Sequence, residues 1–158
     1  MANIEKEIGD LLKQKGLTIG AVESGTGGLI SHLITNVPGS SEYFKGAVVS
    51  YANETKMKAV GVGEETLKRY GAVSPQVAEE MAMGGKKVLN VDICLADTGI
   101  AGPGGATPSK AVGLFYLSLA NKDDVSSRKL ELTGDRVEIK QKVAQAALEW
   151  LKEYLISI

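Results

Sequence analysis

The sequence holds a single histidine, His32, and a single cysteine, Cys94, and these two scarcities exclude much chemistry. A structural zinc site built from several Cys and His ligands is out of reach. One cysteine allows no intramolecular disulfide, a usage that fits a reducing, cytoplasmic setting. Cys94 sits in the apolar run 91–96 and reads as a buried small hydrophobe. A serine nucleophile partnered by histidine would have to use His32, which lies one turn into an apolar helical run and is expected to face partly outward. Net charge is also scarce: a formal −1 gives no global basic field to draw nucleic acid and no acidic tail. No apolar run approaches the roughly 20 residues of a membrane helix, and the charged, helix-like residues 1–7 do not form a secretory signal. No linker, repeat or low-complexity segment divides the 158 residues, a length that suits one domain over 1–158.

What is present is glycine at two strand ends. Residues 17–22 read as a strand and 29–34 as a helix, and between them stands Glu23-Ser24-Gly25-Thr26-Gly27-Gly28. Glycines let backbone approach a ligand, and a helix start offers unpaired N–H groups to an anion. The same stretch also reads as a plain turn whose Ser24 or Thr26 caps the helix. A second glycine-rich loop, 99–110, is long enough for function.

Around these stretches the pattern predicts a helix over 3–15, ending near Gly16, and a loop at 36–41. A nearly continuous apolar strand follows at 46–51, of the kind covered on both faces. Asn53 is the expected cap of a short helix carrying Lys56, Met57 and Val60, and 64–69 forms another short helix. Ser74-Pro75 starts a helix to about residue 89 that carries Val77, Met81 and Val88 inward. Strands at 91–98, 112–120 and 125–132 follow, the last two as a hairpin, and a helix over 136–155 closes the chain. Helices alternating with strands, then a hairpin, indicate an α/β fold: a three-layer α/β/α sandwich on a mixed, mostly parallel sheet.

Two familiar nucleotide signatures fail. Walker A needs a lysine at fixed spacing after its glycines, which neither cluster has. The Rossmann fingerprint fails because Ile30 stands at the last glycine position and no acidic residue ends a strand about 20 residues on. What remains is a constellation at three strand ends: Glu23-Ser24, Ser50-Tyr51-Ala52-Asn53 and Asp97-Thr98-Gly99. If these strands are parallel, Ser24, Tyr51, Lys56 and the 99–110 loop share one pocket. With histidine scarce, a lysine of lowered pKa is the available base, and Lys56, on the opening turn of a helix, fits by position. Taken alone, Lys56 reads more readily as a solvated surface lysine and Tyr51 as a core-edge aromatic. Arg136 either faces water or, near a pocket, clamps a phosphate.

Together the segments 21–28, 39–46, Ser50-Tyr51-Ala52-Asn53 with Lys56, 71–74, 99–105, Lys110 with Gly113, and Gly134-Asp135-Arg136 resemble the CinA C-terminal domain family, the nicotinamide-nucleotide amidases. Their order and spacing run through nearly the whole chain. The resemblance implies an α/β/α sandwich that hydrolyses the carboxamide of nicotinamide mononucleotide to nicotinate mononucleotide and ammonia, without metal or cofactor, as a homodimer or higher homo-oligomer. It implies Ser24 as nucleophile, Lys56 as general base and Tyr51 as an orienting group. Substrate contacts fall to Thr26, Gly27, Gly28, Ser41, Asn53, Thr98, Gly99, Gly102, Gly104, Gly105 and Arg136, with Thr98 at the oxyanion and Arg136 at the phosphate. Ser41 stands as an alternative hydroxyl. Family members usually carry Cys at Gly25, Ser at Ala52 and Pro at Ala111, and larger ones add a nucleotide-processing domain, so the chain resembles the stand-alone form. The alternative function is a nucleotide-binding module without turnover.

Overall fold

In the computed structural model, which describes residues 3–158, helix α1 (Ile4–Lys15) opens on Asn3, whose side chain accepts the Lys6 N–H at 3.0 Å. It closes on Gly16 at φ 65°, the left-handed conformation a helix stop favours. Met1 and Ala2, the first residues of the charged leading segment, lie outside the described residues. There follow β1 (Ile19–Glu23), α2 (Leu29–Thr35), a 3-10 turn (Ser40–Glu42), β2 (Phe44–Val49), α3 (Asn53–Val60) and α4 (Glu64–Tyr70). Then come α5 (Pro75–Leu89), β3 (Ile93–Gly99), β4 (Leu114–Ala120), β5 (Val125–Glu131) and α6 (Arg136–Ser157). Ser74 caps α5 by accepting the Val77 N–H, and Asp135 caps α6 by accepting that of Glu138.

The strands order as β2-β1-β3-β4-β5. β1 pairs parallel with β2 and β3, whereas β4 runs antiparallel to both β3 and β5. The sheet is therefore mixed: most strands run one way, but the pairings divide evenly between parallel and antiparallel. Period-two alternation assigns the faces. Ile19, Ala21, Ile93 and Leu95 pack under α1, α2 and α6 with Ile8, Leu12, Ile30, Ile139 and Leu148. Val22, Cys94 and Ala96 point the other way, to Val60, Val77 and Met81 of α3 and α5. Three layers result, as the alternation of elements predicts. Among the described residues no helix is long and apolar enough to cross a membrane.

Three local expectations are corrected. β2 is an edge strand ending at Val49, which is 48% exposed, rather than a strand covered on both faces. Ala52, not Asn53, occupies the cap position of α3, without a side-chain cap bond. The Ser50 N–H still pairs with Glu23 O at 2.8 Å, so only Tyr51 and Ala52 remain to turn the chain before the helix begins. Val88 is exposed, because the buried stripe of α5 runs through Val77, Ala78, Met81, Ala82 and Gly85 and leaves Val88 at its margin in the last turn.

Gly84 on α5 allows the end of α3 to lie against it: a Cβ there would collide with the Val60 carbonyl. Gly84→Ala gains helix propensity of about 1 kcal/mol but must push α3 away, and overpacking of this kind costs about 1–3 kcal/mol. A net loss of stability is expected, read as a lower urea midpoint at unchanged m value.

Candidate active site

Alternation carried past the strand ends divides the chemistry between the two faces. Continuing β1, Glu23 falls with Ala21 on the α1/α2/α6 side and Ser24 with Val22 on the α3–α5 side. Along β3, Asp97 follows Leu95 to the first side and Thr98 follows Ala96 to the second. Because β1, β2 and β3 are parallel, their carboxyl ends meet at one edge, with β1 flanked on both sides. Ligands of open α/β sheets bind outside such strand ends.

There a cleft of about 270 Å³ is lined by Ser24, Gly25, Tyr51, Asn53, Lys56 and Thr98, with Gly99, Gly102, Gly104, Gly105 and Arg136 closing it from the long loop and the start of α6. The structure thus brings together most of the residues the sequence singled out. Lys56 is only 2% exposed although it lies in the opening turn of α3. Its Nζ donates to the Tyr51 carbonyl at 3.1 Å. Burial pushes its pKa below the ordinary lysine value, against the opposing charge of Asp97. A solvated surface lysine is excluded.

Tyr51 is 62% exposed at the rim, and its hydroxyl accepts from Arg136 Nη2 at 2.9 Å. Arg136 Nη1 donates to the Gly102 carbonyl at 2.7 Å, so one guanidinium ties the Tyr51 turn to the glycine loop. As the hydroxyl accepts that bond, its own proton stays available to a ligand. Thr98 is less free: its hydroxyl donates to the Ala72 carbonyl at 2.8 Å, which leaves it no proton for an oxyanion.

Behind the cleft stand two fully buried carboxylates that sequence reasoning left without a role. Glu23 accepts from the N–H groups of Gly28 (3.2 Å), Ile30 (2.8 Å) and Ser31 (3.0 Å), and from the hydroxyls of Ser31 (2.6 Å) and Thr26 (2.6 Å). The anion at this helix start is therefore the chain's own Glu23. The N–H groups of Gly28, Ile30 and Ser31 at this helix start are engaged internally. Asp97 accepts from the N–H groups of Ser24 (3.3 Å) and Thr26 (3.1 Å). Burial pushes its carboxyl up to about 7, the charge of Glu23 adds to this, and the hydrogen bonds from Thr26 and Ser24 oppose it. The available sequence signals were an acid directly before the glycine turn and another ending an apolar strand, since charges in such places need partners.

The turn's donors can be followed one by one. Ser24 and Thr26 N–H go to Asp97, Gly27 N–H to the Ser24 carbonyl at 3.1 Å and Gly28 N–H to Glu23. Gly25 is the turn residue whose N–H none of these contacts engages, and it lines the cleft. A Cβ at Gly25 or at Gly99 would collide with the ring of Phe115, which rises against both backbones from below.

The structure separates Thr26, Gly27, Gly28 and Ser41 from the cleft. Thr26 is buried between the two carboxylates, and Gly27 and Gly28 open onto a groove toward His32 and Lys140. Ser41 is exposed in the 3-10 turn. His32 is exposed and faces that same groove rather than the Ser24 cleft. Cys94 is buried, and burial pushes its thiol up to about 12, so it is inert.

A family model described as the CinA C-terminal domain matches residues 1–155. A protein of Caldicellulosiruptor saccharolyticus named "Putative competence-damage inducible protein" is 47% identical over 154 residues, which cover 98% of this chain and 38% of that protein. The chain thus spans a little over a third of the length of such relatives. Among solved structures, competence/damage inducible protein CihA from Agrobacterium tumefaciens is 36% identical, with a TM-score of 0.91 over 96% of this chain and 94% of its own. A competence or damage-inducible protein from Enterobacter asburiae is 30% identical, with a TM-score of 0.93 over 96% of each chain.

Proposed function

The chain belongs to the CinA C-terminal domain family, and on that premise we propose that it hydrolyses the carboxamide of nicotinamide mononucleotide through Ser24 and Lys56. The observation that carries this reading is a buried lysine, 2% exposed and depressed in pKa, lining the same cleft as a serine at the end of β1. Desolvation of this kind favours the unprotonated amine, the form that acts as a base.

In the proposed course, Ser24 Oγ attacks the carboxamide carbon as its proton passes to the Lys56 amine. The oxyanion is held by the Gly25 N–H, the donor next to the nucleophile. The C–N bond then breaks, and the proton on Lys56 goes to the leaving nitrogen, which departs as ammonia. Water attacks the acyl ester, Lys56 takes its proton and returns it to Ser24, and nicotinate mononucleotide is released. Arg136 uses two of its five N–H donors on Tyr51 and Gly102 and offers the rest to the phosphate. Asn53 and the 102–105 loop wall the nucleotide.

Incubation with nicotinamide mononucleotide is expected to release ammonia and nicotinate mononucleotide in equal amounts, followed by coupled assay and chromatography. Saturable binding in calorimetry without product would overturn the reading and leave a nucleotide-binding module.

A further inference from the structure

Thr26 Oγ1 lies 2.6 Å from Glu23 Oε1 and 2.5 Å from Asp97 Oδ2, all three groups buried. A hydroxyl has one proton, and an ionised carboxylate has none to give. Two such short contacts therefore require a second proton, carried by one of the acids. Glu23 already receives three N–H groups and the Ser31 hydroxyl besides Thr26, a set of donors that stabilises its anion. Asp97 receives only two N–H groups, one of them a long bond.

We propose that Asp97 is a positioning residue that works as a neutral carboxylic acid, donating its proton to Thr26 while Thr26 donates to Glu23, and pinning the Ser24 turn through the N–H groups of Ser24 and Thr26. Burial that raises its carboxyl to about 7 agrees with this assignment. The consequence reaches the base. The charge of Asp97 opposes the desolvation of Lys56, and as a neutral acid Asp97 withdraws that opposition and lowers the amine's pKa further. The other groups facing this cluster are Ser31 of α2 and, over Gly27, the Lys140 amine of α6. The effect on rate rests on Lys56 being the base; the protonation state does not.

The infrared spectrum of the whole protein at pH 6 is expected to show the carbonyl band of a buried carboxylic acid, shifted by 13C-labelled aspartate, unmoved by 13C-labelled glutamate and lost in Asp97→Asn. Unfolding supplies a second readout. Asp97 holds its proton in the fold up to about pH 7 and loses it near pH 4 when unfolded, so stability falls as pH rises from about 4 to about 7. Asp97→Asn, which keeps a donor toward Thr26 and an acceptor for its N–H, flattens that slope. In turnover, Asp97→Asn is expected to keep kcat within about threefold of the parent without moving the acid limb of the pH profile upward, whereas Asp97→Ala lowers kcat by at least about tenfold. A missing band, a glutamate-sensitive band, or an Asn variant as impaired as the Ala variant would overturn the proposal. If the protein turns over no nicotinamide mononucleotide, the infrared and unfolding arms still decide it.

Discussion

Replacing Ser24 by alanine is expected to lower kcat on nicotinamide mononucleotide by at least about a thousandfold, since no acyl ester can then form. The substitution leaves the framework in place. The turn is pinned through main-chain donors, Ser24 N–H to Asp97 and Gly27 N–H to the Ser24 carbonyl, and alanine retains both groups. KM and the urea midpoint are therefore expected to stay near the parent values while kcat collapses, which marks an interaction made only in the transition state. Single-turnover ammonia release measures it. Full activity in the variant would remove Ser24 from the chemistry. Ser41 would be a poor substitute, because it is exposed in the 3-10 turn outside the cleft.

The second large effect concerns Lys56, and it runs in opposite directions for rate and stability. Lys56→Met is expected to lower kcat by about a hundred- to ten-thousandfold, the range that a positioned general base contributes. The same change is expected to raise the urea midpoint at pH 7. An amine whose folded pKa is depressed by burial holds its proton less tightly in the fold than in the unfolded chain. That difference costs stability at every pH below the unfolded value, and an unbranched apolar side chain of similar length removes the cost. In the parent protein, activity is expected to rise with pH through the depressed lysine pKa, below the ordinary value of 10.5. A variant that loses neither rate nor the acid limb would displace Lys56 as the base.

Much of the framework is legible in local chemistry. Asn3, Ser74-Pro75 and Asp135 are helix starts that depend on side chains within three residues, and each forms its capping bond as such residues do. Strand–turn–helix punctuation at 19–35 is equally local. Ser24, Tyr51, Lys56 and the 99–110 loop were readable as a group because parallel strands deliver their carboxyl ends to one edge, and polar residues at apolar strand ends mark that edge. The start of α3 was misplaced by one residue because the Ser50–Glu23 bond, which extends the pairing past β2, joins segments distant in sequence.

The glycine turn shows where local reading stops. From sequence, Glu23 to Gly28 offered a helix start to an external anion. In the fold, a side chain of that same stretch turns back and takes the donors, and the opposite face of β1 presents Ser24 to the cleft. Neither Glu23 nor Asp97 shows its role in its own segment, because their relation is made by Thr26 Oγ1, three residues from Glu23 but 71 from Asp97.

Residue order and type by themselves determined the family, the layered α/β fold and the set of polar strand ends, because propensity, capping and periodicity act over a few residues. The tertiary structure alone decided that Lys56 is desolvated and that the N–H groups of Ser24, Thr26 and Gly28 hold Asp97 and Glu23 rather than a ligand. It also decided that Phe115 stands beneath Gly25. Each of these is a matter of burial or of contact across the sheet, and burial belongs to the packed whole rather than to any segment of the chain.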